Sequence, residues 1–358
     1  MDTTIIITPR ERYSQYAGSL RSLFKTIPRD VRVIVFDANA PEVVRAEMRE
    51  IEKERPYERI ETDEILLAPQ VRNLGLAMVE TKYTCYCDND LEYTEGWLEA
   101  LEANAERTGA GAVAPLTLLG PSPRPKIHHA GSEIKVMRDA QGRPILHSHH
   151  RLDKVYLDLA EKDGRLDANP EECDEFEYHC AFIRTDVLRE MGGHDERQTK
   201  HDHLDDSLRV KMLGHKITFE RNAVILYRVI APFAEYDWDF FFYRWSREFT
   251  KVSEQLVGDC WGVRKNYPEA EGRFLWNHYR RAAGTVLPTW TQRLRPKRIR
   301  NILNAISLKL LIEPKIKAVT VDSMKFRAAP MPPKNALELA GIPGAEILRE
   351  GEVPLAAE

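Results

Sequence analysis

The feature that most constrains the fold is a short apolar run followed by a helical pattern, a unit that occurs twice at the start of the chain. Residues 3–8 (TTIIIT) and 31–37 (VRVIVFD) are the apolar runs, and residues 41–54 have helical composition with a proline near their start. Strands that alternate with helices form a parallel sheet covered by helices. We therefore predict an α/β fold, in which ligands bind beyond the carboxyl ends of the strands.

Two carboxylates stand at one such strand end, in the tripeptide Asp88-Asn89-Asp90, directly after the apolar run of residues 84–87. They are hard oxygen ligands of the kind that Mg²⁺ and Mn²⁺ prefer, often together with substrate phosphates. Asp237-Trp238-Asp239 has the same spacing but follows no comparable strand. We expect a metal that holds a diphosphate at the first tripeptide and an ordinary acidic turn at the second.

The overall composition limits the partners and the compartment. The 358 residues carry a net charge of −4 and are 43% hydrophobic, so the chain can fill a sizeable core but has no basic field for nucleic acid. The five cysteines are odd in number and lack C-x-x-C spacing, which favours reduced thiols in a cytosolic protein. No apolar stretch approaches the roughly 18–20 residues needed to cross a bilayer. We therefore expect a cytoplasmic protein that binds no nucleic acid.

Two segments after the first strands carry further candidates. Residues 69–77 begin a helix whose first turn places Arg72 and Asn73 near the strand ends, where Arg72 either binds a phosphate or is a solvated first-turn residue. Residues 111–119 return as a strand. Residues 120–173 contain several prolines and a histidine cluster, which predicts loops inserted over the edge of the sheet where ligands bind.

An amphipathic helix that ends near Gly214 begins with several acidic residues. Asp202 and Asp206 are four apart and share a helix face, and Asp205 faces Arg209 at the same spacing. Aspartate at a helix start has a structural interpretation, because it caps the helix and favours its dipole. The functional interpretation makes one of these carboxylates a general base that is ionised at pH 7.

These motifs occur in a definite order, and together they resemble the GT-A-fold family-2 glycosyltransferases over roughly residues 3–230. Each motif is weak alone, but six of them in this order and spacing are specific. The motifs are Ile5-Ile6-Ile7-Thr8-Pro9-Arg10, Val35-Phe36-Asp37, Val71-Arg72-Asn73-Leu74-Gly75, Asp88-Asn89-Asp90, Gly192-Gly193-His194-Asp195-Glu196, and the stretch from Asp202 to Gly214.

The resemblance implies a Rossmann-like GT-A fold, with a mainly parallel central sheet flanked by helices and a helical C-terminal extension. It implies an inverting, hexosyltransferase-type enzyme that moves a sugar from a nucleoside-diphosphate sugar to a carbohydrate or lipid-linked acceptor, in glycan or glycolipid biosynthesis. Its motifs assign Mn²⁺ or Mg²⁺ binding to Asp88 and Asp90, contact with the nucleotide base to Asp37, and proton abstraction to Asp202. The remaining residues that we expect at the nucleotide sugar are Thr8, Pro9, Arg10, Arg72, Asn73 and Asn89.

The chain departs from the family at two places. The usual late motif is Glu-Asp, then two positions and an apolar residue, whereas this chain has Asp202-His203-Leu204-Asp205. Asp202 is the first candidate for the base and Asp205 the second, and His203 is a third because a neutral imidazole can accept a proton. Many relatives also have a histidine after the following strand as a metal ligand, where this chain offers Tyr227.

Three regions are expected along the chain. Residues 1–230 form the catalytic domain, with a nucleotide-sugar half at about 1–119 and an acceptor half at about 120–230. Residues 231–327 are mostly helical, and residues 328–358 are an extended tail.

A basic stretch lies within the helical region. Residues 293–300 carry five cations, and apolar residues follow at helical spacing as far as Leu310. Two interpretations stay open for residues 293–312: peripheral contact with an anionic membrane at its inner face, or a solvated face on a packed helix.

Two other functions fit the carboxylates at the strand end. A nucleotidyltransferase acting on a sugar phosphate also uses acidic metal ligands, although the chain has no glycine-rich phosphate loop with a lysine after the first strand. A catalytically inactive sugar-nucleotide-binding protein is the second alternative, and the presence of Asp88, Asp90 and Asp202 argues against it.

Overall fold

The computed structural model describes residues 1–228, 233–265, 268–287, 290–291, 294, 297–315 and 325–348. The strands are β1 (Thr3–Thr8), β2 (Arg32–Phe36), β3 (Glu58–Ile60), β4 (Tyr83–Asp88), β5 (Leu91–Tyr93), β6 (Ala112–Leu119), β7 (Lys126–His129), β8 (Ser132–Arg138), β9 (Pro144–His150), β10 (Glu172–Cys173), β11 (Cys180–Arg184) and β12 (Ile217–Tyr227). The helices are α1 (Tyr16–Thr26), α2 (Glu42–Glu54), α3 (Ala68–Leu76), α4 (Trp97–Thr108), α5 (Leu157–Lys162), α6 (Thr185–Glu190), α7 (Asp202–Met212), α8 (Trp238–Arg244), α9 (Arg247–Trp261), α10 (Pro268–Val286), α11 (Lys297–Ser307) and α12 (Ala336–Leu339).

One large sheet organises the molecule, in the order β10-β12-β6-β11-β4-β1-β2-β3, with β5 also paired to β12 and β7 to β6. Strands β1 to β4 run parallel to one another, and β6 runs parallel to β12. The predicted α/β fold with a mainly parallel central sheet is confirmed. One central strand, β11, is antiparallel to both β4 and β6, so it begins at the edge where β4 ends.

Strand β1 illustrates how the two faces of the sheet are covered. Ile5 and Ile7 belong to an apolar cluster with residues of α1, α2 and α4, whereas Ile6 points to the opposite face and packs with residues of α3 and α6. Gly75 of α3 lies so close to β1 that an added Cβ would come within 2.7 Å of Ile6. The close approach fixes α3, and with it Arg72, against the sheet.

Residues 120–173 fold over the carboxyl edge of the sheet. Strand β7 extends the main sheet beside β6, and β8 pairs with β9 in a separate antiparallel hairpin. Helix α5 follows the hairpin, and β10 pairs with β12. The region therefore brings His128 and His150 to the same edge as the end of β4.

The region after β12 contains helices α8 to α11 over its described part, as expected for a helical C-terminal extension. Phe240 of α8 and Phe249 of α9 pack in the same apolar cluster as Ile5 of β1. Glu11, in the loop after β1, accepts a hydrogen bond from the Arg244 guanidinium at 2.6 Å and one from the Trp245 indole at 3.0 Å. Helices α8 and α9 are therefore packed directly on the sheet region. Among the described residues, no helix has both the length and the apolar character that a membrane span requires.

The tail from residue 328, which we expected to be extended, is folded over much of its described length. Residues 336–339 form α12 and residues 345–348 form a 3₁₀ turn. Leu337 packs with Leu204 and Leu208 of α7. The prediction was wrong here because the prolines near residue 330 indicate an irregular chain, whereas a short apolar segment can still dock on another helix. Residues 349–358 lie outside the described part.

Gly344 fixes the path of this segment. It has a φ of +82°, and an added Cβ would clash with the backbone carbonyl of Val136 in β8. The backbone N–H of Val136 donates to the Pro343 carbonyl at 2.8 Å. The segment thus lies directly against the β8–β9 hairpin as well as α7.

Candidate active site

A cavity of about 440 Å³ lies at the carboxyl edge of the sheet. Its walls come from the loop after β1, the segment before β11, the start of α7, the end of β12 and helices α8 and α10. The lining side chains are acidic, basic and aromatic, and include Arg10, His128, His150, Glu177, His179, Asp202, His203, Tyr227 and Trp245. Such a lining suits a ligand that carries both charge and rings.

Asp88 closes the end of β4 and lies just beneath this cavity, fully buried. Its Oδ2 accepts hydrogen bonds from the Arg10 guanidinium at 2.7 Å and from His179 Nδ1 at 2.9 Å, and its Oδ1 accepts one from the Thr8 hydroxyl at 3.2 Å. Burial raises the pKa of Asp88 to about 6, although the Arg10 charge acts in the opposite direction. Arg10 and His179 line the cavity, so these two side chains lie between the Asp88 carboxylate and the cavity.

Asp90 has acceptor capacity that the described residues do not use. The side chain is 2% exposed, and its Oδ1 has no hydrogen-bond partner among them. Burial and the neighbouring Asp88 raise its pKa to about 6. Potential ligand atoms of Asp88, Asp90 and His179 all lie within 4.8 Å of one another. A cation can supply both the missing partner and the missing positive charge.

His179 is a member of this cluster that the sequence analysis did not single out. It precedes β11, which pairs antiparallel with β4 so that Cys180 lies opposite Cys87. The backbone N–H of Asp88 donates to the His179 carbonyl at 2.9 Å. The signal in the sequence is a histidine at the start of an apolar run, but it has meaning only once the direction of β11 is known. Tyr227, which stands where many relatives have histidine, stacks on the His179 ring at a centroid distance of 4.0 Å.

The residues around the tripeptide order the strand ends. The Thr8 hydroxyl is within 3.2 Å of the Cys87 carbonyl as well as Asp88. The Asn89 side chain accepts from the backbone N–H of Arg10 at 3.0 Å and donates to the Arg12 carbonyl at 3.3 Å. Pro9 is buried in the same loop. Of Thr8, Pro9, Arg10 and Asn89, Arg10 lines the cavity.

Asp37 lies at the end of β2, fully buried and apart from the residues that line the cavity. Its Oδ2 forms an ion pair with Arg45 Nε at 2.7 Å. Its Oδ1 accepts hydrogen bonds from the backbone N–H groups of Asn39 at 3.2 Å and Thr62 at 3.0 Å. In this structure, Asp37 therefore orders the loops that follow β2 and β3.

Arg72 is not a solvated first-turn residue, because its side chain is 1% exposed. Its guanidinium donates to Asp202 Oδ2 at 2.6 Å and lies over the Tyr178 ring at 3.4 Å from the centroid. The pair joins the start of α3 to the start of α7. The structure thus directs Arg72 to the carboxylate of a second motif, whereas the sequence left open a donor phosphate or solvent as its partner.

Asn73 binds another part of the chain. Its amide nitrogen donates to the His194 carbonyl and to the Glu196 carboxylate, each at 2.9 Å, and its oxygen accepts from the His194 backbone N–H at 2.9 Å. Gly193, with a φ of +78°, lies so close that an added Cβ would be 2.6 Å from the Asn73 oxygen. Asn73 therefore holds the loop before α7, and it is not among the residues lining the cavity.

Asp202 and His203 begin α7 and both line the cavity. Burial alone would raise the pKa of Asp202, but Arg72 and His203 outweigh it and hold that pKa well below its usual range. Burial alone would lower the pKa of His203, but Glu177 and Asp202 outweigh it and raise that pKa to about 9. At neutral pH the pair is a carboxylate beside an imidazolium. Of the two, Asp202 has the lone pair that can accept a proton.

Asp205 and Asp206 turn away from the cavity. Asp205 is 1% exposed and forms an ion pair with Arg209 at 2.7 Å, and it also accepts a hydrogen bond from the Trp261 indole at 2.8 Å. Asp206 accepts from the Tyr178 hydroxyl at 2.6 Å. Both carboxylates have hydrogen-bond partners in the protein interior. The position of Asp205 is therefore not that expected for a base that contacts an acceptor.

Comparison with known proteins adds to this geometry. The family model described as glycosyl transferase family 2 matches residues 4–192, which is more than half of the chain. No curated protein sequence matches the chain.

Solved structures resemble the fold at low sequence identity. One is GalNAc-T7 with UDP, GalNAc and Mn²⁺, with a TM-score of 0.51 and 12% identity; the match covers 98% of this chain but only 56% of that chain. Another is the mannosyltransferase PcManGT from Pyrobaculum calidifontis with GDP-Man and Mn²⁺, with a TM-score of 0.48 and 13% identity, covering 90% of this chain and 77% of that chain. On the extent of the family match, this chain belongs to glycosyl transferase family 2.

Proposed function

We propose that this glycosyltransferase is metal-dependent and inverting, and that it moves a sugar from a nucleoside-diphosphate sugar to an acceptor hydroxyl. One observation carries the proposal: a single cavity is lined both by His179, a member of the cluster with Asp88 and Asp90, and by the ionised carboxylate of Asp202. Displacement at an anomeric carbon needs negative charge stabilised on the leaving diphosphate and a proton removed from the incoming hydroxyl. The two sets of residues are suited to these two tasks.

The residues below the cavity fit a divalent cation. Asp90 offers a buried oxygen without a partner among the described residues, and Asp88 and His179 offer ligand atoms nearby. Mn²⁺ or Mg²⁺ held by these residues would stabilise the charge that develops on the diphosphate. We infer that His179 takes the place of the histidine that many relatives have where this chain has Tyr227. Mn²⁺ in the solved structure of GalNAc-T7 supports this choice of metal.

The donor contacts follow from the same edge of the sheet. Arg10 both contacts Asp88 and faces the cavity, so we assign it to a donor phosphate. We assign the nucleotide base to the neighbourhood of Asp37, because the end of β2 lies beside the end of β1. UDP in GalNAc-T7 supports a nucleoside diphosphate as the leaving group.

Asp202 is the proposed base. Arg72 is a positioning residue, because it is buried, contacts Asp202 at 2.6 Å and fixes the carboxylate at the cavity wall. It leaves the other carboxylate oxygen beside His203 Nδ1 at 3.6 Å, too far for a strong hydrogen bond. A base and a leaving group held by different residues of one cavity favour a single displacement, which inverts the anomeric configuration.

The test is a donor panel with the full chain in the presence of Mn²⁺. We expect one nucleoside-diphosphate sugar to stabilise the protein by about 2.7 kcal/mol at roughly 100 times its Kd, and to release the nucleoside diphosphate slowly even to water. Release of pyrophosphate from a nucleoside triphosphate and a sugar phosphate would instead establish a nucleotidyltransferase. Donor binding without any release, with or without candidate acceptors, would establish an inactive binding protein.

We extend the proposal to peripheral contact with an anionic membrane, which would suit a lipid-linked acceptor. Along α11 and the π-helical turn after it, Ile299, Ile302, Ile306 and Leu310 are 45–66% exposed. Arg298 is also exposed on this helix. An exposed apolar stripe beside cations is the pattern of a helix that lies in a lipid interface. Arg293, Arg295 and the side chain of Lys297, which complete the basic stretch, lie outside the described residues.

Vesicle sedimentation tests this contact. Vesicles containing anionic phospholipid should bring down the wild-type protein at low salt, and Ile302→Ser together with Ile306→Ser should abolish sedimentation. Val43→Ser is a matched control, because Val43 is 54% exposed on α2, away from the stripe. Equal sedimentation of all variants, or none of the wild type, contradicts the contact. The described cysteines are free thiols, which supports the cytoplasmic side as the proposed location.

A further inference from the structure

A second cluster of metal-ligating side chains lies in the same cavity, apart from the Asp88 tripeptide. His150 ends β9, Glu177 lies in the segment before β11, and His203 is the second residue of α7. Their potential ligand atoms all lie within 4.8 Å of one another. All three side chains are partly exposed to the cavity, between 15% and 21%. The cluster thus brings together three distant parts of the chain at a surface that solutes can reach.

The spacing of these atoms is that of ligands around an ion. Glu177 Oε1 lies 3.4 Å from His150 Nε2 and 3.6 Å from His203 Nε2. Two atoms bound at about 2.0–2.1 Å to one tetrahedral ion lie about 3.3–3.4 Å apart. Ordinary histidine–carboxylate pairs elsewhere in this protein are closer, at 2.8 Å for His194 and Asp206, 2.9 Å for His201 and Glu254, and 3.0 Å for His215 and Glu190.

The surroundings also favour a cation. Glu175 is fully buried, its Oε1 has no hydrogen-bond partner among the described residues, and this atom lies 3.4 Å from His203 Nε2. Asp202 Oδ1 lies 3.6 Å from His203 Nδ1, which is longer than the hydrogen bond that usually orients a metal-bound histidine but places a carboxylate on that side of the ring. Basic side chains also line the cavity, among them Lys154, Lys265 and Arg281. The three carboxylates that lie nearest to His203 favour a divalent ion on its side of the cavity.

We propose that His150, Glu177 and His203 form a second metal site, which binds a divalent transition ion of the zinc class. Metal binding would displace the proton that His203 carries in the metal-free protein. Two neutral imidazoles and one carboxylate suit Zn²⁺ or Co²⁺, whereas the carboxylate-rich tripeptide suits Mn²⁺ or Mg²⁺. Three protein ligands leave a coordination position open, and the ligands face the cavity beside Asp202. The site is independent of the proposed sugar transfer, since it rests on these ligands alone.

Metal titration of the full chain tests the site. After removal of metal with a chelator, Co²⁺ is added and followed by its visible absorption and by calorimetry. We expect two bound equivalents in the wild type and one in Asp90→Asn, in which the tripeptide site is impaired. In the Asp90→Asn background, Glu177→Gln and His150→Gln should each weaken the remaining site by more than about 10-fold. Excess Zn²⁺ should displace the Co²⁺ signal.

The matched control is His215→Gln, because His215 also pairs with a carboxylate, Glu190, but lies beyond the C-terminal end of α7 and does not line the cavity. It should leave Co²⁺ affinity unchanged. Absence of Co²⁺ binding in Asp90→Asn while the wild type binds one equivalent overturns the second site and keeps the tripeptide site. If the wild type and Asp90→Asn each bind one equivalent of Co²⁺, and His150→Gln loses it, the second site is kept and the tripeptide site is overturned. If Glu177→Gln fails to fold, the Co²⁺ affinity of His150→Gln is the deciding measurement. An affinity unchanged from that of the Asp90→Asn background overturns the proposal.

Discussion

Two tripeptides in this chain have the same Asp-x-Asp spacing and entirely different surroundings. At the end of β4, Asp90 keeps a buried oxygen that no described residue contacts. At the start of α8, Asp237 is also buried, but its oxygens accept from the Ser14 backbone N–H at 3.0 Å, the Ser14 hydroxyl at 2.6 Å and the Ala234 backbone N–H at 2.8 Å. One carboxylate is left open to a ligand, and the other is satisfied by its own chain.

The same contrast occurs within α7, where two nearby carboxylates differ in their contacts with the described residues. Asp202 borders the cavity, whereas Asp205 is enclosed by Arg209 and Trp261. Spacing along the chain therefore does not separate a functional carboxylate from a structural one. What separates them is whether the protein itself supplies all the hydrogen bonds that the carboxylate can accept.

The largest expected effect is at Asp90. Asp90→Asn should lower Mn²⁺ affinity at the tripeptide by more than about 100-fold, since even partners outside the ligand set contribute about 10–100-fold, and should abolish nucleoside-diphosphate release. Calorimetry and a coupled release assay measure both. Asp237→Asn is the control and should keep Mn²⁺ affinity. If Asp90→Asn released the nucleoside diphosphate at the full rate in excess chelator, the tripeptide at Asp90 would not be a functional metal site and would not differ from the one at Asp237.

The second effect separates the carboxylates of α7. Asp202→Asn should lower kcat by about 10²–10⁴-fold with little change in donor affinity, because a general base acts mainly in the transition state. Asp205→Asn should leave kcat near the wild-type value and instead destabilise the fold by about 3 kcal/mol, because it breaks a buried ion pair. Steady-state kinetics and urea unfolding give the two readouts. The reverse pattern would assign the base to Asp205.

The third effect concerns stability, for which we expect the larger loss at Asp237 and the smaller loss at Asp90. Asp237→Ala should lower the free energy of unfolding by about 3 kcal/mol, because three partly buried donors lose their acceptor. Asp90→Ala should be nearly neutral in metal-free buffer, because it removes a buried oxygen that lacks a partner. Urea unfolding of both variants decides. Equal losses would mean that the open oxygen of Asp90 is satisfied in solution.

The smallest effect concerns Glu11, a buried carboxylate satisfied by cations. Burial raises its pKa, but Arg244 and Arg10 outweigh it and hold the pKa well below its usual range. Its contribution to stability is therefore present above the unfolded pKa of roughly 4.3 and is lost as the pH falls toward the folded pKa. The stability deficit of Glu11→Gln should shrink by about 2 kcal/mol between pH 7 and pH 3.

Urea unfolding at the two pH values measures this change. Glu95→Gln, at an exposed position before α4, should show no such pH-dependent difference from the wild type. A constant deficit for Glu11→Gln would mean that the Arg244 pair does not persist in solution.

The sequence predicted what depends on neighbours in the chain. The strands, the tripeptide at the end of β4 and the acidic start of α7 are local patterns, and each lies where the parallel sheet requires. His179 was missed because it reaches Asp88 only through the antiparallel direction of β11, 91 residues further on. Arg72 was expected at a phosphate or in solvent because nothing near it indicates a partner 130 residues away at Asp202.

The docked segment of residues 336–348 has a consequence for how the enzyme is made. Translation releases the start of α7 long before Leu337, which covers Leu204 and Leu208 on that helix. On the ribosome, the nascent chain therefore carries a partly uncovered apolar face on the helix that positions Asp202, because α9 and the β8–β9 hairpin cover only the rest of this cluster. Until residues 336–348 are synthesised, this face is open to chaperones and to aggregation. Early termination should thus yield a misfolding polypeptide rather than a smaller enzyme.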